Sequence, residues 1–213
     1  MGKTDLIKIV EKLINNREVS QKVRNRINEF QIMNSKDSKY WFEELCFCIL
    51  TANSSAKKGI EIQNYLSRID GFRQLDLDEI EKVLEKLGHR YPKTRAKFIF
   101  EARKYQNIKE IINSFENEFI AREWLVKNVK GIGYKEASHF LRNVGYHNLA
   151  ILDRHILRIL KENQLINEIP ETLTGKKYKE IEKIIIELSK EMKVLPSEMD
   201  LYLWYTKTGE VLK

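Results

Sequence analysis

Only Gly131-Ile132-Gly133 stands between a helical stretch ending at Lys130 and a second one that begins at once, with Lys135 in its first turn. Two helices joined this tightly form a hairpin, and few chain paths allow that. A Gly-x-Gly turn also exposes backbone N–H groups at a helix N-terminus, where a phosphate is well received. Further on, Asp153 heads another helix in Leu152-Asp153-Arg154-His155. A lysine beside a phosphate-binding turn, with an aspartate on the next helix, suits chemistry on the sugar attached to that phosphate.

The rest of the chain reads as helix. Thr4 can cap a helix carrying Leu6, Ile7, Ile9, Val10, Leu13 and Ile14 on one stripe. Val23, Ile27 and Phe30 mark a second. Trp41 to Leu50 is apolar on nearly every side, which predicts a buried central helix. Ser54 or Ser55 caps the next, with Ile60, Ile62, Tyr65 and Leu66, and Asp76 or Asp78 precedes one that Gly88 ends. Pro92 suits a first helical turn, and shorter helices are predicted over 108–115 and 121–129. Pro170 and Gly175 bracket a polar connection before a long amphipathic helix from Tyr178 to Met192, and Pro196 opens the last, through Tyr205. With no strand pair and no convincing hairpin turn between strands, the fold class is all-α.

Composition narrows the function classes. The 213 residues carry 38 basic against 31 acidic side chains, a net charge of +7, which favours a polyanionic partner or, more blandly, a lysine-rich solvated surface. The two cysteines, Cys46 and Cys48, lie in an apolar run and read as small core residues of a reducing compartment. They are too few for an iron–sulfur cluster held by four cysteines. His89, His139, His147 and His155 lack metal-ligand spacing. No apolar run is long enough for a membrane span and no signal-peptide pattern opens the chain, so it is expected to be soluble and cytoplasmic.

Several blocks together carry a resemblance. They are the hairpin string Gly131 to Gly145, Leu-Asp-Arg-His at 152–155, Trp41-Phe42-Glu43-Glu44-Leu45 leading to Leu50-Thr51-Ala52-Asn53-Ser54-Ser55, Gly88-His89-Arg90-Tyr91, Asp200 to Tyr205, and the final Lys213. Over roughly residues 20–213 the chain resembles the archaeal-type (second-family) 8-oxoguanine DNA glycosylase/lyases of the helix-hairpin-helix superfamily. The resemblance implies one glycosylase unit of two intimate helical lobes. One lobe would be mainly about 35–105; the other would combine the N-terminal helices with about 106–213, the helix-hairpin-helix itself spanning 121–145. It also implies a monomeric, prokaryotic, nucleoid-associated protein acting on double-stranded DNA that contains 8-oxoguanine.

The site residues follow from that resemblance. Lys135 would attack C1′ of the damaged nucleotide, leaving a Schiff base through which β-elimination cuts the strand; otherwise it is one more solvated lysine. The positive end of a helix dipole favours the neutral, nucleophilic amine there. Asp153 is an N-cap by its position, and as a fixed anion it would stabilise the developing sugar cation. N–H groups of Gly131, Gly133 and Lys135 would cradle phosphate, and carbonyls of Lys127, Val129 and Ile132 would hold a monovalent cation, Na+ or K+. No other cofactor is implied. Asn53 would intrude into the duplex or serve as a turn or cap residue. Trp204 would stack on the flipped base or pack beside Leu201 and Tyr205, with Tyr91 a candidate for the opposite face. The terminal carboxylate of Lys213 would accept the N7–H that distinguishes 8-oxoguanine from guanine, unless the tail is frayed. Asp200 would bind the base or terminal backbone, or lie on the surface. Arg142 and Arg154, and the cluster Arg90, Lys93 and Arg95, are candidates for phosphate contact or plain solvated charges. The rival readings are a related glycosylase/lyase for another oxidised base, a non-catalytic helix-hairpin-helix module, and a generic basic scaffold.

Overall fold

The computed structural model describes residues 2–213, and among them every regular element is a helix. Among the described residues two compact units are formed: residues 33–144, and residues 2–32 with 145–213. The sequence expectation divided the chain near residue 105. Residues 106–144, hairpin included, instead cluster with 33–105. The physical reason is that the helix after the hairpin packs on the central helix of that unit.

The N-terminal helices are α1 (Lys3–Asn15) and α2 (Arg17–Ser35). Gly2, not Thr4, is the N-cap of α1, its N–H bonded to the Asp5 carboxylate at 2.9 Å. The unit of residues 33–144 is built on α3 (Ser38–Thr51), where every side chain from Trp41 to Thr51 is buried. A helix apolar all round requires neighbours all round. They are α4 (Ala56–Arg68), α7 (Pro92–Ala102), α8 (Ile108–Asn113) and α10 (Tyr134–Asn143). The short α5 (Gly71–Gln74), α6 (Leu77–Lys86) and α9 (Glu118–Asn128) complete the unit, α6 packing on α7 and α9 on α10. Ser55 caps α4 by accepting the Lys58 N–H, Asp76 caps α6 by accepting that of Glu79, and Gly88 follows α6 at φ +72°.

Cys46 and Cys48 are buried in α3, in no disulfide, and burial pushes the Cys46 thiol well above its ordinary value, with Glu43 adding to the effect. Polar side chains are buried beside them. Glu44 accepts from Asn143 at 2.7 Å and from Gln63 at 3.2 Å, and Arg142 donates twice to the Asn143 side-chain oxygen at 3.1 and 3.0 Å. Arg142 is therefore neither a solvated charge nor a phosphate ligand; it is 3% exposed and belongs to the network joining α3, α4 and α10.

In the other unit α11 (Arg154–Glu162) and α12 (Gly175–Met192) pack on α13 (Pro196–Thr208), as does α1. Thr174 caps α12, which starts three residues earlier than the apolar pattern indicated. No helix is long and apolar enough to cross a membrane among the described residues.

His89 ties two segments of the larger unit together. Its Nε2 lies 2.9 Å from the Leu50 carbonyl oxygen, and its Nδ1 accepts the Tyr91 N–H at 3.0 Å. That pairing needs the neutral ring, protonated on Nε2. Burial holds its titration below the ordinary imidazole value; the Leu50 carbonyl opposes the shift and the Arg95 charge adds to it. Because the folded value is depressed, the stabilisation is complete above the unfolded value of about 6.5 and is lost as pH falls from there through the folded value. Chemical denaturation between pH 7.5 and 5 is expected to show the native chain losing stability in the lower half of that range, and His89→Gln, which cannot ionise, losing less.

Candidate active site

The hairpin begins where α9 stops. Val129 is extended, its N–H on the Leu125 carbonyl, and the Ile132 N–H returns to the Val129 carbonyl at 3.3 Å. Gly131 has φ +83°, and a Cβ there would lie 2.5 Å from Cδ2 of Phe98. Both the backbone angle and the ring above it demand glycine. Gly133 is extended and N-caps α10, and the Glu136 carboxylate accepts its N–H at 3.2 Å. This differs from the expected phosphate cradle: the Gly133 N–H is already engaged by the chain's own carboxylate. Tyr134 and Lys135 hold the first two helical positions, where N–H groups have no acceptor within the helix.

Lys135 is neither free in solvent nor sealed. Its side chain is 25% exposed and its Nζ stands 3.7 Å from Glu136 Oε1. The helix under it is firmly held. Residues 137–143 are all buried, Phe140 meets Trp41 edge-on and His139 meets Phe47 in the same way. The Arg122 guanidinium donates to the Ser138 hydroxyl at 3.1 Å and sits over the Tyr134 ring, whose hydroxyl donates to Glu123 at 2.5 Å. These contacts lock α9 against α10 and fix the Lys135 backbone.

Of the three carbonyls named for a cation, those of Lys127 and Val129 have lone pairs to spare. Lys127 lies in the last turn of α9, where carbonyls lack an intrahelical donor, and the Val129 oxygen has a second lone pair beyond the bond from Ile132. Asn53 is exposed on the turn after α3 at φ +58°, a conformation asparagine tolerates better than most residues; the cap is Ser55, not Asn53. Of the basic cluster, Arg90 and Lys93 are exposed and Arg90 lies over the Tyr91 ring, whereas Arg95 is buried at 7% exposure. Arg95 is thus not a surface charge.

In the other unit Asp153 caps α11, its Oδ1 accepting the Ile156 N–H at 2.8 Å. Two α12 side chains that sequence reasoning did not single out hold the segment before it. The Tyr178 hydroxyl donates to the Ala150 carbonyl at 2.7 Å and accepts the Leu152 N–H at 3.1 Å, and Glu182 accepts the Ala150 N–H at 3.1 Å. Their signal was spacing: a tyrosine and a glutamate one turn apart on the apolar face of α12. His155, two residues after Asp153, meets the Trp204 ring edge-on at 4.9 Å between centroids, so Asp153 and Trp204 belong to one neighbourhood. Arg154 is exposed. Trp204 is partly exposed while Leu201 is buried, and Asp200 is 6% exposed, which removes the surface alternative for it. The tail is tied down: Gly209 ends α13 at φ +67°, the Glu210 N–H donates to the Thr208 hydroxyl, and Arg26 reaches the Val211 carbonyl at 3.4 Å.

The sequence model described as 8-oxoguanine DNA glycosylase matches residues 23–194. The chain is 54% identical over 208 residues to a Methanocaldococcus jannaschii protein named 8-oxoguanine DNA glycosylase/AP lyase, covering 98% of this chain and 99% of that one. It is 47% identical over 214 residues to a Korarchaeum cryptofilum protein of the same name, covering the whole of both. Its fold is similar to that of the M. jannaschii 8-oxoguanine glycosylase/lyase crystallised with a 15mer DNA containing 8-oxoguanine, with TM-score 0.95, 53% identity, and 98% and 99% coverage of the two chains. For the Thermotoga maritima 8-oxoguanine DNA glycosylase the TM-score is 0.92 at 42% identity, with 99% of each chain covered. With a family match over most of its length and relatives this similar end to end, the chain belongs to the 8-oxoguanine DNA glycosylase family.

Proposed function

We propose that this protein excises 8-oxoguanine from duplex DNA and then cuts the strand at the site it has emptied. The observation that carries the reading is Lys135, a part-buried amine in the first turn after a glycine hairpin, in a chain 54% identical along nearly its full length to a named glycosylase/AP lyase.

A base stacked in a duplex shields C1′, so the nucleotide must first leave the helix. N–H groups of the hairpin and of the first turn of α10 hold a neighbouring phosphate. A monovalent cation on the carbonyls of Lys127, Val129 and Ile132 would supply added positive charge near that phosphate. The phosphate also competes with Glu136, whose carboxylate occupies the Gly133 N–H. The Lys135 lone pair forms a bond to C1′ as the bond from C1′ to N9 breaks and the base leaves with its electrons. Asp153, fixed by its cap to Ile156, is the anion that stabilises positive charge on the sugar and takes the proton released by the amine. The sugar ring then opens to a Schiff base. Loss of a proton from C2′ expels the 3′ phosphate oxygen, and water releases the lysine.

Trp204, steadied by His155, offers a stacking face for the flipped base, worth about 1–3 kcal/mol. The terminal carboxylate of Lys213 is the acceptor for the N7–H of the lesion. Guanine has no hydrogen on N7 and leaves that acceptor unpaired, at a cost of about 1–3 kcal/mol. Asp200 supports the same recognition from within α13. The work is done as a monomer on the chromosome of a prokaryotic cell.

Borohydride trapping on 8-oxoguanine duplex is expected to give a covalent protein–DNA adduct that Lys135→Gln abolishes; an adduct that survives would remove the amine from the mechanism, and no adduct from the native chain would favour a non-catalytic module. Asp153→Asn keeps an oxygen for the Ile156 N–H, so its melting temperature should barely move, while single-turnover excision falls by about 100- to 1000-fold, the scale of losing one electrostatic stabiliser. Deleting Lys213 should narrow the preference for 8-oxoguanine over guanine by about 5- to 150-fold, read from excision on a panel of duplexes carrying different bases. A native preference for another oxidised base on that panel would reassign the lesion.

A further inference from the structure

Arg95 was expected on the surface and is buried, so its charge needs an explanation. One arm of its guanidinium, Nη2, donates to the Ala52 carbonyl at 2.6 Å. Ala52 ends α3 and directly precedes Asn53, which sits at φ +58° with its side chain exposed. The other arm, Nη1, lies 3.3 Å from where a Cβ on Gly131 would be. Phe98, one turn further along α7, completes the arrangement: its ring closes over Gly131 on one side and lies 5.7 Å from the Arg95 guanidinium on the other. His89 holds an earlier carbonyl, that of Leu50, so the turn is pinned at two carbonyls two residues apart. All of these residues belong to one compact unit.

A planar guanidinium with two arms can face two partners at a fixed separation, which an ammonium cannot do. We infer that Arg95 is a positioning residue that sets the distance between the Asn53 turn and the glycine hairpin, so that intrusion into the duplex and the grip on phosphate are registered to one another. The inference rests on the reading of Asn53 as the intruding residue. Arg95 is buried and serves without touching DNA. It acts through its bond to the Ala52 carbonyl and, together with Phe98, by packing in the space beside Gly131, and its loss lets the two elements drift independently. A misplacement of about 1 Å at a reacting site costs up to about 100-fold in rate.

The test is a double-mutant cycle on single-turnover excision of 8-oxoguanine from duplex DNA, using Asn53→Ala, Arg95→Gln and both together, with thermal melts confirming that each is folded at the assay temperature. Arg95→Gln is expected to slow excision by about 10- to 100-fold. In the Asn53→Ala background the same change should have a much smaller effect, because the residue through which it acts is gone. If Arg95→Gln does not fold, Arg95→Lys carries the test: it keeps the charge and can still donate to the Ala52 carbonyl but lacks the planar second arm, and is expected to slow excision with the same dependence on Asn53. Native rates for the Arg95 variant, or a double variant slowed by the full product of the two single effects, overturn the inference. A native rate for Asn53→Ala alone is a different failure, since it removes the intrusion role beneath it.

Discussion

A helix with no solvent face sets the terms for most of what surrounds it. From Trp41 to Thr51 every side chain of α3 is buried, so other helices must cover it on all sides, and α10 is one of them. The helix that carries Lys135 is therefore part of the core, not an appendage. Trp41 against Phe140 and Phe47 against His139 are the contacts through which that packing is transmitted. A buried aromatic side chain stabilises by several kcal/mol and tolerates little displacement, so the amine at the start of α10 inherits the rigidity of the core beneath it.

Buried polar groups then choose one arrangement among the many that would satisfy apolar packing. Glu44, Gln63, Arg142 and Asn143 bond across three helices, and any slide of α10 along α3 would leave charged groups without partners in a low-dielectric interior. The second unit uses the same device with fewer atoms. Tyr178 and Glu182 take the backbone groups of residues 150 and 152, holding a stretch that has no helix or sheet partners of its own and so aiming the cap at Asp153.

Much of this was legible in the chain. Apolar period gave the helices, Pro92, Pro196, Gly88 and Asp76 marked their ends, and Asp153 is the cap its spacing indicates. The site was legible where a residue type is demanded by backbone geometry, as at Gly131. It was not legible where the same residue type serves two environments. Arginine on a helix reads as solvated whether or not it is, so Arg95, Arg122 and Arg142 gave no sign of burial. The hairpin also carries a readable signal: Gly133-Tyr134-Lys135-Glu136 has the spacing of a capping box, which places the Glu136 carboxylate on the Gly133 N–H. The boundary between the units was also hidden, because it depends on which helix covers α3 and no local pattern records that.

The cysteines of α3 have one more consequence. Peroxide and related oxidants react with thiolates, and both sulfur atoms here are sealed from solvent, with that of Cys46 held protonated by its surroundings. An enzyme whose substrate appears during oxidative stress is at work when its own sulfhydryls are most at risk. Placing them inside α3 keeps such reagents away from both sulfur atoms, so repair capacity need not fall as damage accumulates.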